Sequence, residues 1–283
     1  MKIDDSAWID EDFRAYHARF APYFRRPEPR EQSEKYLRAL LAPVERKNGW
    51  QIAEFVGDST PDRTQRLLSH AGWDVDGVRD EHIRFCSEHF GEPEGIGILD
   101  ETGFLKKGEK SAGTQRQYTG TAGKRENCQI GTFLAYASTM GHVFLDRRLY
   151  LPEKEWCENP ERRKEAIIPE EILFQTKPQH GMEMLEHSFE LGVPIKWVTG
   201  DEVYGNSEAL RDFVSNRGRQ YVLAVANRLI VWPFKKQPWG KWGGPPEISL
   251  AGLVHQLPAE CWKRISVKEG SNSNSRRLYN YVS

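Results

Sequence analysis

A chain of 283 residues with 38% hydrophobic and 11% aromatic residues has enough apolar surface for a folded core, as one large domain or two ordinary ones, and is not a disordered polymer. Its formal net charge of −1 excludes a global attraction for nucleic acid or for an anionic membrane, so any such surface has to be local. The four cysteines, Cys86, Cys128, Cys157 and Cys261, form no CxxC or Cys/His cluster, and neither a signal peptide nor an apolar run long enough to span a bilayer is present. These absences point to reduced thiols in a soluble, cytoplasmic protein with no membrane partner.

Residues 1–91 read as helical. FRAYHARFAPYF places Phe13, Tyr16, Phe20 and Tyr23 on one helical face, and Pro27 and Pro29 interrupt it. SEKYLRALLAPVERKNG continues with Tyr36, Leu37, Leu40 and Leu41 on one side. A short helix over 50–56 then meets a Gly-Asp turn, a Ser/Thr cap and Pro61 at the first position of a second helix. That second helix carries Arg63, Gln65, Arg66 and His70. The pair has the outline of a helix-turn-helix, with Arg63 and Arg66 as candidate DNA contacts.

The pattern changes at residue 92. GIGILDETG is a buried strand, CQIGTFLAYAST (128–139) a second and HVFLDRRLYLP (142–152) a third, with a hairpin turn between the last two. After a charged stretch, a helix over 180–192 closes on a Gly. A fourth strand (195–200), a helix (206–217) stopped by Gly218, and a fifth strand (220–226) follow. The order β-β-β-α-β-α-β describes an α/β fold of the α+β kind, with helices on a mixed sheet, over 92–227. Past 227 the chain is rich in Trp, Gly and Pro. SLAGLVHQLP is expected as a short helix capped by Ser249, CWKRISVKEG as a strand, and the remainder as a polar tail.

Two strands end alike: GIGILDETG on Asp100-Glu101 and IKWVTGDEVYG on Asp201-Glu202. In a β-β-β-α-β order the first and fourth strands are typically neighbours, and strand ends are where ligands collect in open sheets. Two Asp at adjacent strand ends can share a hard divalent cation, the chemistry of phosphodiester cleavage. Alternation turns residues 100 and 101 to opposite faces, which selects Asp100 and Asp201 as ligands and leaves Glu101 and Glu202 as supporting groups. An Asp-Glu pair after a strand also serves simply to start a loop or cap a helix. Between the first two strands, residues 104–125 hold Lys106, Lys107, Lys110, Arg116, Lys124 and Arg125 against Glu109 alone, with five glycines among 103–123. A flexible basic loop beside the acids suits a phosphate backbone. Its glycines match neither a P-loop nor a dinucleotide fingerprint, so no nucleotide cofactor is expected. The eight histidines are dispersed, with no nucleophile setting.

ILDETGFLKKG, GTQRQYTGTAGKRENCQIGTFLAYAS, DRRLYLP, TKP, WVTGDEVYG and YVLAV, in this order, resemble DDE transposases of bacterial insertion sequences, the family numbered seven hundred and one above all. FRRPEPRE and LAPVERKNGWQIAE extend the resemblance to the front of the chain. It implies an RNase H-like core preceded by a helical region that recognises transposon ends, and Mg²⁺- or Mn²⁺-dependent cleavage and strand transfer of double-stranded DNA. It also implies a homodimer on DNA and a nucleoid-associated location in a bacterial cytoplasm. The first two catalytic acids fall on Asp100 and Asp201. The third, a Glu on a helix after a β-rich insertion, falls on no residue here: residues 228–283 look like the start of that insertion, and Glu247, Glu260 and Glu269 lie in no long helical pattern. The alternative expectation is therefore a truncated or domesticated transposase that binds DNA without cleaving it.

Overall fold

The computed structural model describes residues 5–231, 248–258, 260, 262–269 and 276–282. Helices α1 (Asp5–Ala18), α2 (Pro27–Leu41), α3 (Gly49–Val56), α4 (Asp62–Ser69) and α5 (Val75–Phe90) come first, with a 3₁₀ turn at Ala21–Tyr23. Local chemistry sets their ends. Pro27 opens α2 where its missing N–H costs nothing. The Asn48 side chain accepts from the Trp50 and Gln51 amides to start α3. Gly57, at φ +76°, ends α3 in the left-handed conformation. The expected Ser/Thr cap before Pro61 is not used. Pro61 is itself the N-cap of α4, and the Thr60 hydroxyl donates to the Asp62 carboxylate at 3.0 Å instead.

The sheet follows: β1 (Gly95–Leu105), β2 (Gln115–Thr119), β3 (Lys124–Ser138) and β4 (Gly141–Tyr150), then a π-helical turn (Glu153–Cys157), α6 (Pro160–Glu165), α7 (Lys177–Glu190), β5 (Ile195–Gly200), α8 (Glu202–Gly205), α9 (Glu208–Asn216) and β6 (Gln220–Leu223). The six strands form one mixed sheet in the order β2-β3-β1-β5-β6, with β4 beside β3. β3 is long enough to serve two partners on one edge: Gln115–Thr119 pairs with Lys124–Cys128, and β4 pairs from Ile130 onward. β1 runs antiparallel to β3 on the other edge, and parallel β5 and β6 complete the sheet. Two expectations are corrected. The 104–125 segment contains a strand, because Arg116 to Thr119 alternate against Lys124 to Asn127. The polar tail forms β10 (Arg276–Val282), paired antiparallel with β9 (Trp262–Glu269). Beyond β6 lie β7 (Ile230–Val231), β8 (Ile248–Ser249) and α10 (Leu250–Gln256), the last capped by Ser249 as expected. The Trp-rich stretch 232–242, Glu247, Cys261 and the Ser/Asn run 271–275 lie outside the described residues.

One core joins the sheet to its helices. Leu99 of β1, Leu134 and Tyr136 of β3, and Val198 of β5 bury one face against Met184 and Leu185 of α7, Leu210 and Val214 of α9, and Ile83 and Cys86 of α5. Each fully buried aliphatic side chain contributes about 1.5–3 kcal/mol. The expected boundary after residue 91 coincides with the end of α5, yet α5 shares the core of the sheet. His180 of α7 is buried against β3, its Nδ1 3.0 Å from the Thr132 hydroxyl. Burial lowers its pKa from the ordinary histidine value. A depressed histidine contributes stability above pH 6.5 that is lost as pH falls, because the unfolded chain takes up the proton first. The urea midpoint is therefore expected to drop between pH 7.5 and 5.5, and His180→Gln to flatten part of that drop. An equal slope in both chains would remove His180 as the cause.

Candidate active site

The parallel pairing of β1 with β5 ends at Leu99↔Gly200. The next residues are Asp100 and Asp201, so two carboxylates leave neighbouring strands at the same level. Adjacent strands lie about 4.7–4.9 Å apart, which brings the two backbones within reach of one small cation. β1 continues to Leu105, held by β3 alone, whereas β5 stops and Asp201 caps α8. Asp201 Oδ1 accepts from the Val203 amide at 2.9 Å, and Asp100 Oδ1 accepts from the Glu101 amide at 2.8 Å. Both side chains are exposed. Among the described residues no cationic side chain pairs with either, and the second oxygen of each carboxylate has no protein partner.

Glu101 points the other way. It is half-buried and ion-paired to Lys177, in the first turn of α7, at 2.5 Å. Tyr204, three residues past Asp201, is fully buried beneath the acids. Its hydroxyl and Glu101 Oε2 are both buried without a hydrogen-bond partner. Burial first, and then the charges of Glu101, Asp201 and Asp100, push the Tyr204 phenol far above its ordinary value, so it stays a neutral donor at every physiological pH. Lys177 and Tyr204 were not singled out in the sequence, although both lie in the quoted motifs TKP and DEVYG. Removing the Lys177 charge leaves Glu101 as a half-buried uncompensated carboxylate. Lys177→Met is expected to cost about 1–3 kcal/mol, and the double change with Glu101→Gln to regain most of it. Additive losses in denaturant unfolding would rule out the coupling.

The basic segment is not beside the acids. Lys106 is six residues past Asp100, which at the strand rise of about 3.3 Å per residue is roughly 20 Å along β1. The sequence hid this because the strand does not end on its acids. Lys110 pairs with Glu165 and Lys124 with Glu126, each at 2.7 Å. Lys110, Arg116 and Arg125 line a cleft of about 960 Å³ together with Arg162, whose guanidinium lies 4.0 Å from the centre of the Trp156 ring. Arg162 is a cation that the sequence reading passed over. Lys106 and Lys107 are exposed at the tip, and Arg63 and Arg66 are exposed on α4, a separate place in the fold.

The profile of the DDE superfamily endonuclease family matches residues 19–277. The chain belongs to this family. It is also 26% identical, over 195 residues, to the probable transposase for insertion sequence element IS701 of Microchaete diplosiphon, a match covering 68% of this chain and 48% of that protein. The chain thus spans about half of that relative's length.

DDE endonucleases normally use divalent metal ions. The donor set of this DDE chain suits one, with hard carboxylate oxygens, open acceptor positions and no competing thiolate or imidazole. Among the described residues no group of three or more His, Cys, Asp or Glu is placed to hold a metal, so the pair alone defines the candidate site. Two carboxylates leave coordination positions free for water and phosphate oxygens, the usual pattern for Mg²⁺. Glu202 is exposed in the first turn of α8 and takes no part in the pair's geometry. No helix among the described residues is long and apolar enough to cross a membrane.

Proposed function

We propose that this DDE-family chain acts as a transposase, cleaving and joining double-stranded DNA at transposon ends with Mg²⁺ or Mn²⁺ held by Asp100 and Asp201. The observation that carries the reading is the β1–β5 register, which sets two open carboxylates side by side at neighbouring strand ends. The sheet, with β1 to β4 paired antiparallel and β5 and β6 added in parallel, supports an RNase H-like core. The relative's printed description as a probable transposase supports the same reaction class.

The divalent cation supplies charge neutralisation at a phosphoryl oxygen and a more acidic bound water. The chain's residues do the rest. Asp100 and Asp201 present fixed oxygens, since each carboxylate is tied through Oδ1 to a nearby backbone amide. Glu101, neutralised by Lys177, stiffens the strand that carries Asp100 without competing for the cation. Lys106, Lys107, Lys110, Arg116, Lys124 and Arg125 hold backbone phosphates roughly 20–30 Å from the acids, about six to nine base pairs along a duplex at 3.4 Å each. They position the flank of the site and do not touch the scissile bond. A homodimer on paired ends, in the bacterial nucleoid, completes the proposal.

The test is cleavage of labelled DNA carrying the flanks of the gene, in Mg²⁺, in Mn²⁺ and in chelator. Chelator-sensitive nicking supports the reading. Tight DNA binding with no cleavage under either metal overturns the catalytic part of it.

A further inference from the structure

The Tyr204 hydroxyl and Glu101 Oε2 are a donor and an acceptor, both sealed from solvent and both without a partner among the described residues. Leaving a buried polar group unpaired is costly, and more so when the group is charged.

The two groups lie in one place. The Tyr204 ring is wedged between β1, β5 and α7. A Cβ on Gly200 of β5 would lie 3.2 Å from Tyr204 Cβ, and a Cβ on Gly181 of α7 would lie 3.4 Å from Tyr204 Cε1. The root of the side chain is thus against β5, and its hydroxyl end is against α7. Leu99 of β1 meets the same Gly181 position at 3.0 Å. Glu101 comes two residues after Leu99 and so shares its α7-facing side of β1. Its Oε1 is taken by Lys177, one helical turn before Gly181 on α7. Oε2 is the oxygen left over on that side. After burial, the charge of Glu101 is the largest influence on the phenol, ahead of Asp201 and Asp100, and the phenol stays protonated as a donor.

The backbone ties both groups to the acids. Tyr204 lies in α8, three residues past its N-cap Asp201. Glu101 directly follows Asp100 on β1. Drawing the two Asp carboxylates onto one small cation pulls the start of α8 toward β1, and that motion carries the donor toward the acceptor.

We propose that Tyr204 is a positioning residue for the cation: its hydroxyl donates to Glu101 Oε2 when Asp100 and Asp201 close on a divalent ion. The hydrogen bond and the metal then strengthen each other by the same factor, since such coupling is reciprocal. The proposal rests on the metal-pair reading above and deepens it, because the tightness of metal binding comes to depend on a side chain that never touches the ion.

The test compares wild type, Tyr204→Phe, Glu101→Gln and the double variant as full-length chains. Calorimetric titration with Mn²⁺ reads metal affinity, and thermal melts in chelator read stability without metal. Tyr204→Phe is expected to bind Mn²⁺ about 10-fold more weakly, the size of one hydrogen bond to a charged group. In chelator it is expected to melt at or above wild type, since it deletes a buried hydroxyl that has no partner. In the Glu101→Gln background the same change is expected to cost about twofold or less, because the charged acceptor is already gone. Equal Mn²⁺ affinities for wild type and Tyr204→Phe overturn the proposal and leave the metal pair standing. A lower melt of Tyr204→Phe in chelator also overturns it, because the hydroxyl then has a partner without metal. Equal losses in both backgrounds overturn it as well, since the phenol then does not act through Glu101. A wild-type chain that takes up no Mn²⁺, and in which Asp100→Asn and Asp201→Asn change nothing, sinks the metal-pair reading and this proposal with it.

Discussion

Asp100→Asn and Asp201→Asn are each expected to lower metal-dependent DNA cleavage on the order of 10³-fold while leaving DNA binding and folding nearly unchanged. Stabilisation of the reacting phosphoryl group by a held cation is worth several kcal/mol, and each 1.36 kcal/mol is tenfold in rate. Asparagine is the informative replacement. Asp201 is also the N-cap of α8, and Asn caps as well as Asp, so the charge is removed without the cap. Asp201→Ala loses both and is expected to melt lower by about 1 kcal/mol, a difference that separates the structural from the chemical role. Asp100 is exposed and caps nothing, so Asn and Ala should behave alike there. The measurements are nicking rates, thermal melts and a divalent-cation titration of each variant. Nicking that survives in either Asn variant would place the chemistry elsewhere.

Gly205→Ala is expected to cost about 3 kcal/mol, near the upper end of overpacking penalties. A Cβ on Gly205 would fall 1.8 Å from the Ala224 carbonyl oxygen and 2.8 Å from its carbon. Both are backbone atoms, and Ala224 is itself tied to Gly200 by a 3.0 Å hydrogen bond, so neither side can yield cheaply. The strain enters four residues from Asp201 and is expected to lower nicking as well as stability. Gly120→Ala, where a Cβ meets nothing within 4 Å, is the control and should unfold with wild type. Coincident urea midpoints for Gly205→Ala and Gly120→Ala would show that α8 does not press on the chain leaving β6.

The sequence made the frame of the sheet readable because its central strands are apolar runs with sharp ends. The neighbour relation of the two acid-ending strands followed from element order alone, and β1–β5 pairing has that form. β2 escaped because QRQYT is short, polar and set among glycines and lysines, and it exists only through its ladder with β3. The reach of the basic segment was misjudged for a related reason. β1 continues five residues past Asp100, and only the length of β3 reveals that. Lys177 and Tyr204 meet the acids through tertiary packing. The Lys177–Glu101 pair joins residues 76 apart in the chain, a separation at which no local periodicity carries a signal.

The two acids are contributed by strands that pair in parallel, one made early in the chain and the other roughly a hundred residues later. At a synthesis rate of about 5–20 residues per second, Asp201 leaves the ribosome some 5–20 s after Asp100. During that interval β1, β3 and β4 can already zip together as neighbouring antiparallel strands, but one half of the acid pair does not yet exist. Parallel, long-range pairing is also the slow step of such folds. On the proposed function, a nascent chain is unable to cleave DNA until β5 has docked beside β1 and set Asp201 level with Asp100.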